Sequence, residues 1–528
     1  MPDRKFPLAR QARCSRVSNL SRAGRLREAS QSEMPGVPKR LPWTAIWGVL
    51  GIVIAWHCWF ASYNHDEIEH LHAAWLISIG QLPFRDFLEQ HHPTIWFFAS
   101  PIVARFQSTQ WLVFAARLFD FTCLFGVCAI VKRLLQRLYP DVPWQWPTLL
   151  LLASFMFVRS SLEFRPDPLM NLLSYAGLLN WVAFIQDKSY FRALAAGIFF
   201  GAAIAILQKA FVVMGLVFVG AAILAGLRLL RRQGVARLVL GAGLALLAAA
   251  IPVAGLFWAM RRLGIYRDFW FWNYPFNAFF YVRAHLHQHF STLKTLGLSV
   301  VVDPALWFIG AIGAWLCARE LLRTKQFSAR DECRLSLLCL TLGYFAFLCG
   351  NRFPLDQYFI VLLPLLAMFA AEAFAAPRSR PRQVILRRSV LSMPVILLSI
   401  LLLYPSNREQ RVVQDLVLRQ TSTDESIFIP PAFNPIFRRD GAYFWYNGDL
   451  ISRAYEDYCR SSNNCRGDKL SVDEQRWQTS PPTFVFLELP QYYPYHWQSR
   501  EAAYLPTQVP HLWSHRRTIA GIVSDKTR

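Results

Sequence analysis

The densest run of reactive side chains lies around residue 66. Tyr63-Asn64-His65-Asp66-Glu67-Ile68-Glu69-His70 is followed by Gly80 to Phe87 and then by Glu89-Gln90-His91-His92-Pro93. Carboxylates and imidazoles gathered this closely beside aromatics suit a general base and, as a candidate cofactor, a divalent cation. A solvated polar loop is the plainer reading, since acidic residues cost little outside a membrane. A second charged turn, Glu163-Phe164-Arg165-Pro166-Asp167-Pro168, joins two apolar segments. Charge at such depth is expensive and tends to be functional or paired, and a structural pair of Arg165 with Asp167 or Glu163 is the bland alternative. Lys209 stands alone between two apolar segments, where snorkelling to the interface is the ordinary role of a lysine. A third cation, Arg352, occurs in Gly350-Asn351-Arg352-Phe353-Pro354, followed by Asp356-Gln357-Tyr358. Guanidinium grips phosphate oxygens in bidentate fashion and Lys acts as a point charge, so Arg165, Lys209 and Arg352 together suit a departing phosphate. A carboxylate opposite them suits deprotonation of an incoming hydroxyl.

These residues need elements that bring them to one surface, and the composition supplies them. The 528 residues are 54% hydrophobic and only 17% charged, which excludes an ordinary soluble globule. Runs such as Trp111 to Val131, Leu238 to Ala259 and Tyr358 to Ala375 approach the ~20 residues a helix needs to cross a bilayer core, and lipid leaves the backbone no alternative to a helix. The net charge of +22 does not point to nucleic acid, because the basic residues fall in short clusters between apolar runs. The clusters are Lys132-Arg133-Arg137, Lys188-Arg192, Arg228-Arg231-Arg232-Arg237, Arg319-Arg323-Lys325-Arg330 and Arg378-Arg380-Arg382-Arg387-Arg388. Placing them in the cytosol, with the Arg- and Ser-rich tail 1–42, puts Asp66, Arg165, Lys209, Asn273, Arg352 and everything after Pro405 outside. Eleven spans satisfy this parity: 43–62, 111–131, 147–162, 168–186, 193–208, 210–227, 238–259, 297–317, 334–350, 358–376 and 388–405.

The apolar segment Thr94 to Phe106 would invert everything downstream if it crossed. It is therefore expected to lie along or re-enter the membrane under the first outer loop, 63–110. The opening segment has no apolar core and is no signal peptide; a start at Met34 would account for it equally well. Beyond the membrane part, 43–405, the polar stretch 406–528 reads as a small outer α/β domain with a strand at Thr483 to Leu489. If that domain faces an oxidising compartment, Cys459 and Cys465 can close a disulfide. No internal repeat or metal-type cysteine spacing is present. The stretch Met260 to Leu296, with Phe269-Trp270-Phe271-Trp272 and His285, His287 and His289, is placed to cover the site, or to be a wet loop.

Over residues 43 to 405 the motif order resembles the GT-C glycosyltransferases, within them the protein O-mannosyltransferase, aminoarabinose transferase and Rgt-type galacturonosyltransferase group. Asp66-Glu67 is similar to that family's acidic pair in the first outer loop, whose Asp the resemblance implies as catalytic base. Glu89-Gln90-His91-His92-Pro93 is similar to the later part of that loop, although His92 and Thr94 stand where relatives carry prolines. Arg117 resembles an Arg of the second span, Arg165-Pro166-Asp167 the second outer turn, and Lys209 a Lys implied to contact the lipid phosphate. The resemblance also implies short non-spanning helices in the first loop.

The expected architecture is thus a polytopic α-helical membrane protein, a GT-C-like bundle of about eleven spans with a small C-terminal extracytoplasmic α/β domain. The expected reaction moves a sugar from a polyprenyl-phosphate donor to a lipid, glycan or protein acceptor at the outer face of a bacterial inner membrane. Asp66 and Glu67 are the candidate catalytic residues, and Arg165, Asp167, Lys209, Glu89, His92 and Arg352 the candidate substrate-binding set. Glu67, Glu89 and His92 are the candidates to hold a cation or position the acceptor. A transporter or flippase of a lipid-linked or anionic solute is the rival class. It fits less well, because transporters place ionisable groups mid-span and often repeat their halves.

Overall fold

The computed structural model describes residues 42–280, 292–351, 355–375, 380–446, 448–462, 465, 467–488, 493–494 and 497–516. The tail before residue 42, Arg352, and His285, His287 and His289 lie outside the described residues. The chain divides into two units, Met1–Val53 and Ile54–Arg528. In the first, residues 42–53 open helix α1 (Trp43–Phe60), where Trp43 and Trp47, one turn apart, stack with ring centres 6.0 Å from each other.

In the second unit, α1 is followed by two short helices, α2 (His65–Ser78) and α3 (Thr94–Val103), and by the long α4 (Thr109–Leu138). A broken pair, α5 (Gln145–Leu152) and α6 (Phe155–Ser160), precedes α7 (Pro166–Asp187), α8 (Tyr190–Ile206), α9 (Ala210–Leu230) and α10 (Ala236–Arg262). Next come α11 (Tyr266–Phe271), a π-helical turn at Trp272–Phe276, α12 (Thr292–Val302), α13 (Pro304–Arg323), α14 (Ala329–Gly350), α15 (Phe359–Ala375) and α16 (Arg380–Leu403). Among the described residues, nine helical segments are long and apolar enough to cross a membrane, and the protein is a multi-pass integral membrane protein.

Nearly all of the expected spans fall on single helices; two differ in an instructive way. The segment 147–162 is two helices, because Asp303 accepts from Ser154 Oγ (2.7 Å), Phe155 N (2.7 Å) and Met156 N (3.0 Å) and so caps a new helix start inside the apolar run. The same Asp303 interrupts the segment 297–317. Pro304 begins α13 as its first residue, so the long apolar helix runs Pro304–Arg323 and α12 stands apart. Helix α3 has ten residues, about 15 Å at 1.5 Å per residue, half of a ~30 Å bilayer core. It is too short to cross, in keeping with its expected place beside the first loop.

Close packing inside the bundle rests on small residues. A Cβ at Gly197 of α8 would sit 2.1 Å from the Ala245 carbonyl oxygen of α10, and one at Gly201 would sit 2.2 Å from that of Ala249. Glycine four residues apart thus lets two backbones touch, which is how helices gain contact where lipid offers no hydrophobic drive. Helix α15 is buried over almost its whole length and forms the bundle centre.

The C-terminal part contains α17 (Arg408–Gln420), β1 (Ser426–Phe428), β2 (Arg439–Asp440), α18 (Gly448–Ser462), α19 (Lys469–Thr479), β3 (Phe484–Phe486), β4 (Tyr504–Pro506) and β5 (Leu512–His515). The strands form one mixed sheet in the order β2-β1-β3-β5-β4. It is parallel from β2 to β3 and antiparallel beyond. Cys459 and Cys465 are joined in a disulfide.

The segments flanking β2 belong to a different core from the sheet. Ile436, Phe437, Tyr443, Phe444, Trp445 and Tyr446 are buried with Ile68, Trp75 and Phe84 of the first loop and with Phe269, Trp272 and Phe276. Hydrogen bonds fix the join: Leu88 N to Tyr443 O (2.9 Å), Tyr443 Oη to Phe84 O (2.6 Å) and Trp445 Nε1 to Leu88 O (3.2 Å). His72 of α2 is clamped from both sides, Nδ1 against Ile436 O (2.6 Å) and Nε2 against Asp440 (2.8 Å).

Candidate active site

Helix α2 starts where its sequence says it should. Asn64 is the N-cap, its side chain accepting from Asp66 N (2.9 Å), and Glu67 at the third helical position closes a capping box. Two acids in the first turn also suit the positive end of the helix. The cap places Asp66 at the helix mouth, and the helical repeat puts Glu69 and His70 on the same face, three and four residues on.

Asp66 pairs with Arg165, whose guanidinium also lies 3.5 Å from Glu163 and 3.7 Å from Asp167. Burial works against ionisation of Asp66, but the Arg165 guanidinium outweighs it and holds its carboxyl below the usual range. Arg165 is the N-cap of α7, Pro166 presets the first turn, and Asp167 follows within it. Lys209, the N-cap of α9, donates to Asp167 (3.0 Å) and lies 3.9 Å from the Tyr358 ring centre. The starts of α2, α7 and α9 therefore converge on one alternating array, Asp66–Arg165–Asp167–Lys209. Three helix N-termini pointing at one spot favour an anion there.

Glu67 faces the other way. It is fully buried and grips Arg117 of α4 in bidentate fashion, 2.7 Å from both Nε and Nη2. The rest of that guanidinium is taken up by the carbonyls of Cys58, Ala61 and Ser62 at 2.9 to 3.1 Å. Glu67 is thus engaged as the counter-ion that ties α2 to α4, and its carboxylate also accepts from Asn64 N (3.5 Å) and Phe164 N (3.4 Å).

The segment 89–94 docks on the end of α8, just before Lys209. Thr94 Oγ1 donates to Ala205 O (2.6 Å), and His92 Nδ1 donates to Ile204 O (3.0 Å) while its Nε2 accepts from the Tyr274 hydroxyl (3.1 Å). Burial pulls the His92 pKa down to about 4, so the ring is neutral and serves as a brace. Glu89 is fully buried, with Oε1 accepting from Gln90 N and from His91 Nδ1, each at 2.8 Å.

The residues that sequence reasoning left without a role are Glu69, His70 and His91, which gather with Glu89, and Arg159. Arg159 contacts Asp356 (2.7 Å), Glu163 (3.6 Å) and the Tyr404 hydroxyl (2.9 Å). The helical spacing Asp66, Glu69, His70 was the available signal for the first of these; Arg159 offered none, lying inside an apolar run.

Fold and site together define a multi-pass membrane protein with short helices in its first loop, a charged array at several helix starts and a small mixed sheet packed on that loop. Its backbone is similar to the crystal structure of ArnT from Cupriavidus metallidurans in the apo state. That match has a TM-score of 0.57 and 13% identity over 84% of this chain and 92% of that one. The same protein bound to undecaprenyl phosphate gives 0.50 and 14% over 85% and 86%. The oligosaccharyltransferase from Archaeoglobus fulgidus in the apo form gives 0.48 and 12% over 84% and 69%. No protein-family model and no curated protein matches the sequence. The chain shares the fold of ArnT.

Proposed function

We propose that the protein is a membrane glycosyltransferase that moves a sugar from a polyprenyl-phosphate donor to a hydroxyl of a lipid, glycan or protein acceptor. The observation that carries this reading is the array Asp66–Arg165–Asp167–Lys209 at the convergent starts of α2, α7 and α9. One ArnT structure contains undecaprenyl phosphate, and a carrier phosphate is the anion that such an array suits.

In the resting state each cation is neutralised by a carboxylate. An arriving phosphate competes for Arg165 and Lys209, because charge-assisted bonds to phosphate oxygens are among the strong ones. As Arg165 turns to the phosphate, Asp66 loses the partner that keeps it a weak base and can take the proton of the acceptor hydroxyl. The hydroxyl oxygen forms a bond to the anomeric carbon, the bond from that carbon to the phosphate oxygen breaks, and the carrier phosphate departs with the electron pair. Arg165 and Lys209 stabilise its growing charge. Attack opposite the leaving group inverts the anomeric centre. Glu67 and His92 hold the loop in place rather than touching substrate.

The charge distribution supports an extracytoplasmic placement. The C-terminal ends of α4, α7 and α9 carry Arg137, Lys188 and Arg228, whereas α7 and α9 begin at the array. Positive-inside bias supports basic ends in the cytosol and an array outside a bacterial inner membrane. The decisive measurement incubates purified protein with a polyprenyl-phosphate sugar and an acceptor extract and follows release of carrier phosphate. Transfer should release it; carrier that stays glycosylated, or that is only moved between leaflets, removes the proposal.

A further inference from the structure

One of the basic clusters between the apolar runs lines a cavity. The space, of about 550 Å³, opens where α4, α13 and α15 end and α14 begins, and its wall carries Arg319, Arg323, Arg330 and Arg334 with Glu320 and Glu372. It lies a full bundle length from the charged array. Arg117 of α4 holds Glu67 next to Asp66, and Tyr358, just before α15, meets Lys209; the same two helices end at Leu138 and Ala375 on the cavity wall. From Arg117 to Leu138 the helix rises about 32 Å at 1.5 Å per residue, the thickness of a bilayer core.

Arg334 frames this cavity. It is only 5% exposed and reaches Glu320 of α13 (2.6 Å), Asp331 of its own helix (3.2 Å) and Glu372 of α15. A buried cation matched by carboxylates from three helices holds the wall together and is not free to bind. The other three arginines are of a different kind. Arg319, Arg323 and Arg330 are exposed and have no acidic partner among the described residues, since Glu320 and Glu372 are engaged by Arg334. Arg330 also stands in the first turn of α14, where the positive end of the helix opposes a cation, so its charge weakens the helix it sits on. A topology signal needs basic residues near a loop, but it does not need a cavity for them to share.

The surface of α13 gives the shape of the ligand. Phe308, Ile312, Trp315, Arg319 and Arg323 follow one another at helical spacing, so they share one face, and all five are exposed. An apolar stripe thus leads up to a pair of guanidinium groups. Trp315 marks the boundary, with the Arg319 guanidinium 5.1 Å from its ring centre. From Phe308 to Arg319 the helix rises about 16 Å, half of a ~30 Å bilayer core and therefore the depth of one leaflet. At the far end of the stripe Phe308 and Ile309 line a second cavity of about 510 Å³, closed by Ile385, Met393 and Ile396 of α16. Hydrocarbon for the depth of a leaflet, then an interfacial ring, then unpaired arginines around a cavity is the order of groups that a phospholipid presents in reverse sign and like polarity.

We propose that this cavity binds the headgroup of an anionic phospholipid, its phosphate held by Arg319, Arg323 and Arg330 and one acyl chain laid along the Phe308, Ile312 and Trp315 face of α13. Guanidinium groups grip phosphate oxygens in bidentate fashion, and basic pockets between helices on the cytosolic side suit such headgroups. With the array outside, the lipid belongs to the cytosolic leaflet. The separation of a bilayer core keeps this headgroup apart from any phosphate at Lys209. A lipid seated here ties α13 to the start of α14 at the end of the bundle away from Asp66. The binding does not rest on the transferase reading.

The test titrates full-length protein in detergent with dioleoylphosphatidylglycerol and, as the zwitterionic comparison, dioleoylphosphatidylcholine. Bound lipid is counted by native mass spectrometry, and the thermal midpoint is recorded for each variant. Phosphatidylglycerol should bind about tenfold tighter or more, and Arg319→Gln combined with Arg323→Gln should lower that affinity about 10- to 30-fold. Both side chains are exposed and unpaired, so this variant should keep the parental midpoint. Arg232→Gln combined with Arg237→Gln removes the same charge from exposed positions between α9 and the start of α10, and should leave the affinity at the parental value. Millimolar glycerol phosphate should not displace the lipid, because it lacks the chain. Equal affinity for the two lipids, unchanged affinity in the folded Arg319 and Arg323 variant, an equal loss in the Arg232 and Arg237 variant, or displacement by glycerol phosphate overturns the proposal. Turnover enters none of these measurements, so they decide this site separately from the transferase reading.

Discussion

Asp66 and Glu67 are adjacent in the first turn of α2, yet conservative amide replacements should act on different properties. Asp66→Asn removes the base while leaving Arg165 two further carboxylates, Glu163 at 3.5 Å and Asp167 at 3.7 Å. With the Asp66 side chain 27% exposed, loss of its ion pair should change stability by no more than about 1 kcal/mol. Loss of a positioned base typically slows turnover about 10²- to 10⁴-fold, which is about 3 to 5 kcal/mol of barrier. Glu67→Gln reverses the pattern. It leaves a guanidinium that is only 4% exposed without its counter-ion, and breaking such a buried pair costs about 3 to 5 kcal/mol of stability. The assay pairs the rate of carrier-phosphate release with the thermal midpoint in the same detergent. More than a tenth of parental turnover in Asp66→Asn, or a parental midpoint in Glu67→Gln, would refute this division of labour.

Lys209→Gln should raise the donor KM about 10- to 100-fold, the loss of one charge-assisted bond to phosphate, and leave the acceptor KM unchanged in steady-state kinetics. His92 is neutral in the fold with its pKa drawn from 6.5 to about 4. Its contribution is complete above the unfolded value and declines as pH falls from 6.5 towards 4, by about 3 kcal/mol in all. His92→Gln, which can still donate and accept, should flatten that part of the stability-against-pH curve measured by thermal melts. Peptide mapping without reductant should recover Cys459 and Cys465 linked in protein from the native membrane. Reduction of that short loop should lower stability by roughly 2 kcal/mol.

The bundle was legible because each long apolar run leaves the backbone a single solution in lipid. Charge bias then ordered the loops well enough to bring Asp66, Arg165, Asp167 and Lys209 into one array. The break at Ser154 was not legible, since it depends on a side chain about 150 residues away supplying a cap, which no local period records. The division between Asp66 and Glu67 was hidden for a related reason. Both are first-turn acids, and only the position of Arg117 on another helix decides which one is engaged. The place of residues 436–446 in the core of the first loop was equally out of reach, because the aromatic run Tyr443-Phe444-Trp445-Tyr446 signals burial but not the partner it packs on.

That last feature bears on when the candidate site is completed. Residues 436–446 and the His72 clamp supply the floor on which α2 rests, more than 350 positions downstream of the residues they support. A nascent chain can thread its early helices into the bilayer, but the loop bearing Asp66 stays without its seat until translation has passed this segment. Assembly of the loop that carries Asp66 is thereby deferred until late in synthesis, and removal of residues 436–446 should unseat α2 although that region adds nothing to the charged array.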